Sequence, residues 1–271
     1  MINYIFWDIS PIALKLGPLE IRWYGILLAT GFFFAYLTFL NIFKKEGMSQ
    51  EFTDKFAIRL VLWTVVGLRL GHVLFYEPAY YFKHPLEIFM IWKGGLASHG
   101  AVIGIIGYSI YFTRKNKMPV LWLFDRVAAS VMIAAGMVRM GNLMNSEIYG
   151  KPTDVSWAFI FAKDDMLSRH PSQIYEAVVY LLLFVFLIWY YKKLKGKVPA
   201  GRFVGILLTV VFVFRFFVEF LKDVQVEFEN SMTLNMGQWL SIPFVIAGIS
   251  LWIYSYKNKN IPQFVEPKTK K

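Results

Sequence analysis

Seven apolar runs, at residues 21–43, 56–75, 94–112, 120–144, 174–191, 203–221 and 238–256, leave this chain few ways to fold. A run of about 20 apolar residues matches a hydrocarbon core about 30 Å thick, and no water there can satisfy an open backbone, so each run predicts a spanning helix. At 57% hydrophobic and 18% aromatic residues, a chain of 271 is too apolar for a soluble domain. The expected fold is therefore an all-α polytopic membrane protein with seven transmembrane helices, a single integral membrane domain over 1–271. A net charge of +11 would fit a nucleic-acid binder, but the cations sit in short clusters between the apolar runs: Lys44 and Lys45, Arg114 to Lys117, Lys192 to Lys197, and the tail from Lys257 to Lys271. They read as topology signals, with no nucleic-acid partner. By the positive-inside rule these ends are cytoplasmic, so the N-terminus and the connection between runs four and five face outward.

That connection follows a block that is costly to place near lipid. Arg139, Asn142, Asn145 and Glu147, with Gly141 and Gly150, close the fourth run. Ionisable groups at membrane depth normally face the protein interior and mark a substrate or ion path. At helical spacing Arg139 and Asn142 share a face, and Asn145 and Glu147 follow where the helix frays, so their polar atoms can converge on one anion. The competing reading is an arginine that snorkels to the interface above an ordinary helix end.

Other candidates lie on other runs. His99 sits among Gly94, Gly95 and Gly100. It suits a packing histidine or, beside an anion site, a proton acceptor with an unperturbed pKa near 6.5. Arg215 and Glu219 are i,i+4 and share a face, either as a self-neutralising pair or, with Arg139 added, as part of a phosphate clamp. Residues 170–176, His-Pro-Ser-Gln-Ile-Tyr-Glu, combine good helix-start chemistry with a carboxylate, Glu176, that needs Arg139 or Arg69 as partner. Tyr24 fits an aromatic belt as well as a site. Four histidines without His-x-x-x-His spacing and no cysteine predict neither a metal centre nor a disulfide. Residues 1–18 lack a basic region followed by a small-residue cleavage site. They are expected to remain as an interfacial segment.

In order, Tyr24-Gly25, Gly94-Gly95 with His99-Gly100, Arg139-x-Gly141-Asn142-x-x-Asn145-x-Glu147-x-x-Gly150, His170-Pro-Ser-Gln-x-Tyr175-Glu176 and Arg215-Phe-x-x-Glu219-Phe make the chain resemble the bacterial prolipoprotein diacylglyceryl transferases. The resemblance covers the whole length. It implies an inner-membrane enzyme with a periplasmic N-terminus and a cytoplasmic C-terminus, in which 1–18 is a periplasmic interfacial segment and 145–172 a small periplasmic head. It implies transfer of the diacylglyceryl group of phosphatidylglycerol to the lipobox cysteine of a preprolipoprotein signal peptide, with thioether formation, release of glycerol phosphate and no cofactor. Carried over by motif, His99, Arg139 and Tyr24 are the catalytic candidates; Arg139, Asn142, Asn145, Glu147, Gly150, Arg215 and Glu219 are the candidates for holding phosphatidylglycerol. The chain departs from the family pattern at Val138 and Ala101, where glycine is common, and at Val211-Phe212, where Tyr-Gly is common.

Two other classes fit less well. A transporter or lipid-binding protein would use the same arginines without chemistry, but the runs show no matched broken halves. An intramembrane protease needs a Ser-His or Asp pair within spans, and Ser98 and His99, being adjacent, point to different faces of a helix.

Overall fold

The apolar runs fold as helices whose ends fall at turn residues and basic clusters. In the computed structural model, residues 4–91, 94–95, 97–223, 232–258 and 260–267 are described. The helices are α1 (Trp23–Lys45), α2 (Gln50–Phe75), α3 (Pro78–Lys83), α4 (Ser98–Lys115), α5 (Val120–Met144), α6 (Ser172–Lys193), α7 (Arg202–Val218) and α8 (Met236–Asn258). Ser49 caps α2 by accepting from Phe52 N at 3.1 Å, as an N-cap serine should. Lys44 and Lys45, Arg114 and Lys115, and Lys192 and Lys193 fill the last turns of α1, α4 and α6. Lys259, Lys268, Lys270 and Lys271 of the basic tail, and the side chain of Ser98, lie outside the described residues.

Among the described residues, six helices are long and apolar enough to cross a membrane by length and composition, which makes the protein a mostly helical, polytopic membrane protein. The run expected as the third span begins late: Gly94 and Gly95 take φ of +88° and +71°, so helix α4 starts only at Ser98. Its 18 residues include Arg114 and Lys115, and it is not among the six.

The all-α expectation needs correction, because the head and N-terminal segment contain short strands. The first is β1 (Ile5–Trp7), followed by β2 (Ile12–Leu16), β3 (Leu19–Arg22), β4 (Phe159–Phe161) and β5 (Ser168–Arg169). Strand β1 runs parallel to β4, pairing Ile5 with Phe159 and Trp7 with Phe161, and β4 is antiparallel to β5. Strands β2 and β3 form a hairpin that turns at Gly17, φ +59°, beside Pro18. These strands hold two to five residues, too few for an alternation to stand out from the apolar background.

The chain divides into two compact units, Met1–Phe39 with Phe124–Ile261, and Leu40–Leu123 with Pro262–Lys271. In the first, α7 packs on α8 at backbone distance: a Cβ added to Gly205 would meet Trp252 N at 2.6 Å, and one on Gly248 would meet Thr209 N at 2.6 Å. The N-terminus of α7 is capped by buried Asp125, which accepts from Gly201 N, Phe203 N and Val204 N at 2.7, 2.9 and 3.0 Å. A small core of Leu143, Phe159 and Phe161, covered by Trp7, Met140, Tyr149 and Ile174, ties the head to the end of α5. The Trp7 indole N–H donates to Leu143 O at 3.2 Å.

In the second unit, α2 and α4 pack through glycine: a Cβ on Gly100 would lie 2.0 Å from Gly67 O, and one on Gly104 2.3 Å from Trp63 O. Buried Arg69 donates to Ile88 O, Gly94 O and Gly95 O at 2.8, 2.6 and 3.1 Å, fixing the loop ahead of α4. The tail returns to this unit, where Phe264 packs on Phe52 and Trp122, and Glu266 accepts from Ser49 N and Oγ at 2.6 and 2.8 Å.

Candidate functional site

Helix α5 ends where the backbone must leave the helical ladder, and its last turn carries the charged block. Glu147 N donates to Asn142 O at 3.1 Å, and Ser146 and Ile148 take φ of +54° and +58°, so the chain folds back over its own helix end. This return brings Asn142 Nδ2 within 2.8 Å of Glu147 Oε1 and Asn145 Nδ2 within 3.3 Å of the same oxygen. Asn142 Oδ1 accepts from Arg139 Nη1 at 3.2 Å. The four residues read from the sequence as convergent are therefore one hydrogen-bonded group. Tyr24, at the start of α1, joins them: its ring lies on Gly141, where a Cβ would come within 2.8 Å of Tyr24 Cδ2, and both Glu147 and Arg139 act on its hydroxyl electrostatically.

Arg139 is anchored from the facing helix. Its Nε is ion-paired with Glu176 of α6, a carboxylate only 1% exposed. Of the two partners open to Glu176, the structure selects Arg139, while Arg69 is spent on loop carbonyls in the other unit. Glu176 is also ion-paired with Lys222 Nζ, which lies 3.4 Å from Glu219 Oε1. Glu219 Oε1 in turn is 3.3 Å from Arg215 Nη2. The result is an alternating chain of charge, Arg139, Glu176, Lys222, Glu219, Arg215, running from α5 through α6 to the end of α7. Each buried carboxylate has a cation on both sides, which offsets the desolvation that would otherwise expel it. The chain starts and ends on a guanidinium.

The head holds this arrangement from one side. Gly150 N donates to His170 O at 2.8 Å and Lys151 N to Leu221 O at 2.7 Å, so Gly150 forms an antiparallel bridge with Lys222. Only glycine fits there, because a Cβ would lie 2.5 Å from Leu221 O and 2.7 Å from His170 Cβ. Gln173 Nε2 donates to Glu147 O at 2.7 Å and Ser172 Oγ to Ile148 O at 2.9 Å, pinning the block to the start of α6. Two buried amide oxygens, Asn145 Oδ1 and Gln173 Oε1, have no hydrogen-bond partner among the described residues.

Above the site, buried Arg169 donates to Asp223 Oδ2 at 2.8 Å and Gly150 O at 3.2 Å, pairs with Asp165, and stacks on Tyr149 with its guanidinium 4.8 Å from the ring centre. That guanidinium holds the Asp165 carboxyl below its ordinary range. Burial pulls the His170 imidazole down; its Nδ1 lies 3.1 Å from the Tyr175 hydroxyl.

His99 belongs to the second unit, as the second residue of α4, and its side chain is exposed. The backbone beneath it is fixed by the contact between Gly100 and Gly67.

Lys222, Asn235, Gly237 and Tyr180 were not singled out in the sequence. Asn235 caps α8 through Gln238 N at 2.9 Å and donates to Glu219 Oε2 at 3.2 Å, while the Glu219 carboxyl lies over Gly237. Tyr180, one turn beyond Glu176, hydrogen-bonds Arg139. At the departure Val211-Phe212, Val211 is buried and Phe212 stacks on Phe244, ring centres 4.4 Å apart, so this part of α7 packs against α8.

Comparison with known proteins gives a consistent result. Residues 11–254 match the family model of prolipoprotein diacylglyceryl transferase. Among curated relatives, the phosphatidylglycerol–prolipoprotein diacylglyceryl transferase of Chloroherpeton thalassium is 45% identical over 260 residues, covering 96% of this chain and 97% of the relative. The enzymes of the same name from Tolumonas auensis and Bacteroides fragilis are each 44% identical, over 94% and 95% of this chain and 99% and 97% of their own lengths.

Proposed function

The chain belongs to the prolipoprotein diacylglyceryl transferase family, and from that membership we propose how its charged core works. It is a transferase that moves the diacylglyceryl group of phosphatidylglycerol to the cysteine thiol of a prolipoprotein, the first step of lipoprotein maturation. The observation that carries the mechanism is the alternating chain from Arg139 to Arg215, which presents a guanidinium at each end while carboxylates hold both in place.

The thiolate sulfur attacks the glyceryl carbon that bears the phosphate. A C–S bond forms, the C–O bond breaks, and its electron pair stays on the departing glycerol phosphate. Charge therefore grows on a phosphate oxygen in the transition state. Arg139 and Arg215 stabilise that charge more than the charge of the bound lipid, and this difference is what accelerates the reaction. Removing one such donor is worth about 3 kcal/mol. Asn142, Asn145 and Glu147 orient Arg139 and line the site beside it, with Glu219 in the same role for Arg215. Asn145 Oδ1 and Gln173 Oε1 are the acceptors for glycerol hydroxyls of the headgroup. Gly150 holds the loop. Tyr24 closes the side formed by α1 and contributes its hydroxyl near Arg139.

A thiol with pKa near 8.5 must lose its proton before it attacks, and His99 takes it, directly or by way of the leaving phosphate. Imidazole suits that transfer because it titrates near neutrality.

The enzyme sits in the inner membrane with seven spans, α4 being the one beyond the six most apolar helices. Support comes from its 18 residues, about 27 Å of helix, and from its basic last turn, which matches those of α1 and α6. The N-terminus, residues 1–18 and the head at 145–172 are then periplasmic, and the C-terminus cytoplasmic. Both substrates are reached from the bilayer: phosphatidylglycerol as a lipid, and the lipobox cysteine at the end of a membrane-inserted signal peptide. The test is transfer from phosphatidylglycerol to a lipobox peptide by purified protein, with release of glycerol phosphate. Lipid binding without either product would refute the reading.

A further inference from the structure

We propose that Lys222 is a positioning residue for transfer, bridging Glu176 and Glu219 and thereby holding both arginines in place; this rests on the transferase reading above. Lys222 lies outside every motif that carries the family resemblance, and it follows a helix end where a lone lysine ordinarily reaches for water. Here its side chain is only 3% exposed, between carboxylates that are 1% and 9% exposed. Among the described residues no other cation touches both: Arg139 pairs with Glu176 alone and Arg215 with Glu219 alone.

The groups linked around this point come from several elements: Arg139 from α5, Glu176 and Tyr180 from α6, Arg215 and Glu219 from α7 and the turn that follows, and the Asn235 amide just ahead of α8, with Glu147 reached through Asn142. Take away the ammonium and each carboxylate keeps one arginine but loses the shared cation that ties it to the other. The two carboxylates, no longer bridged, repel one another. A displaced Glu176 or Glu219 carries its arginine with it.

The backbone is built to put Lys222 there. Gly150 and Lys222 form an antiparallel bridge, and Lys151 N donates to Leu221 O at 2.7 Å. The glycine that ends the Arg139 block thus acts through Lys222 on the arginine that begins it.

The experiment compares purified wild type with Lys222→Met and Lys222→Arg in micelles containing phosphatidylglycerol and a lipobox peptide, with rates expressed per folded molecule. Lys222→Met should lower kcat about tenfold or more with a smaller change in KM, because the arginines shift from the reacting geometry. Lys222→Arg should restore most of kcat. A Lys222→Met enzyme whose kcat matches wild type, whatever its folded yield, overturns the proposal while the transferase reading stands. A folded wild type that performs no transfer overturns both.

Discussion

Glu176 of α6 grips Arg139 of α5 at Nε, while Nη1 of the same guanidinium donates to Asn142 Oδ1 at 3.2 Å. Glu176→Gln keeps the shape and an acceptor but removes the charge. A hydrogen bond to a charged group contributes about 1.5–3 kcal/mol, so transfer should fall about ten- to a hundredfold. Glu176→Gln should affect kcat more than KM for phosphatidylglycerol. Steady-state kinetics with unchanged kcat would show that the anchor is dispensable.

Gly150→Ala forces a methyl group against Leu221 O and His170, neither of which can yield without moving backbone. Overpacking of this kind costs about 1–3 kcal/mol. Because the same bridge carries Lys222, activity per folded molecule should also drop. Thermal unfolding in detergent, together with transfer rate, checks both halves.

Arg169→Leu removes the contacts to Asp165, Asp223 and Gly150 O and the stacking on Tyr149. The loss should destabilise the head by about 1–3 kcal/mol. Hydrogen exchange at residues 150–170 should quicken, while exchange within α7 and α8 stays as in wild type.

Two groups in the head give it a pH dependence of known sign. The His170 pKa is lowered on folding, so its contribution is complete above the unfolded value of about 6.5 and is lost as pH falls below it. The Asp165 pKa is also lowered, so its contribution is present above about 3.9 and is lost as pH falls through the folded value. Head stability should therefore decline in two stages on acidification. His170→Asn should remove the first stage, and Asp165→Asn the second, in unfolding curves followed by Trp7 and Trp157 fluorescence.

How much was legible in the sequence depended on whether the partners were close along the chain. Arg139 and Asn142 are i,i+3 and Arg215 and Glu219 i,i+4, so helical spacing alone put each pair on one face. Glu176 was visible as a carboxylate in need of a cation, with the choice between Arg139 and Arg69 left to tertiary structure. Lys222 and Asn235 gave no such signal: one looks like an interfacial lysine and the other like a helix cap, and their second roles depend on how α6, α7 and α8 meet. The strands escaped because each is short, although the Gly17-Pro18 turn signal of the hairpin was present. The late start of α4 follows from the left-handed Gly94 and Gly95, which an apolar-run reading counts simply as small residues.

The most direct test of the charge-chain account is transfer by purified wild type and Arg139→Ala, measured as peptide lipidation and glycerol phosphate release in the same reaction. The account predicts stoichiometric formation of both products by wild type. A folded Arg139→Ala that retains the lipid should be slower by about a hundredfold or more, the equivalent of losing one donor to a developing oxyanion. Wild-type rates in Arg139→Ala would contradict it, because the guanidinium that Glu176, Asn142 and Tyr180 hold in place would then have no part in the chemistry.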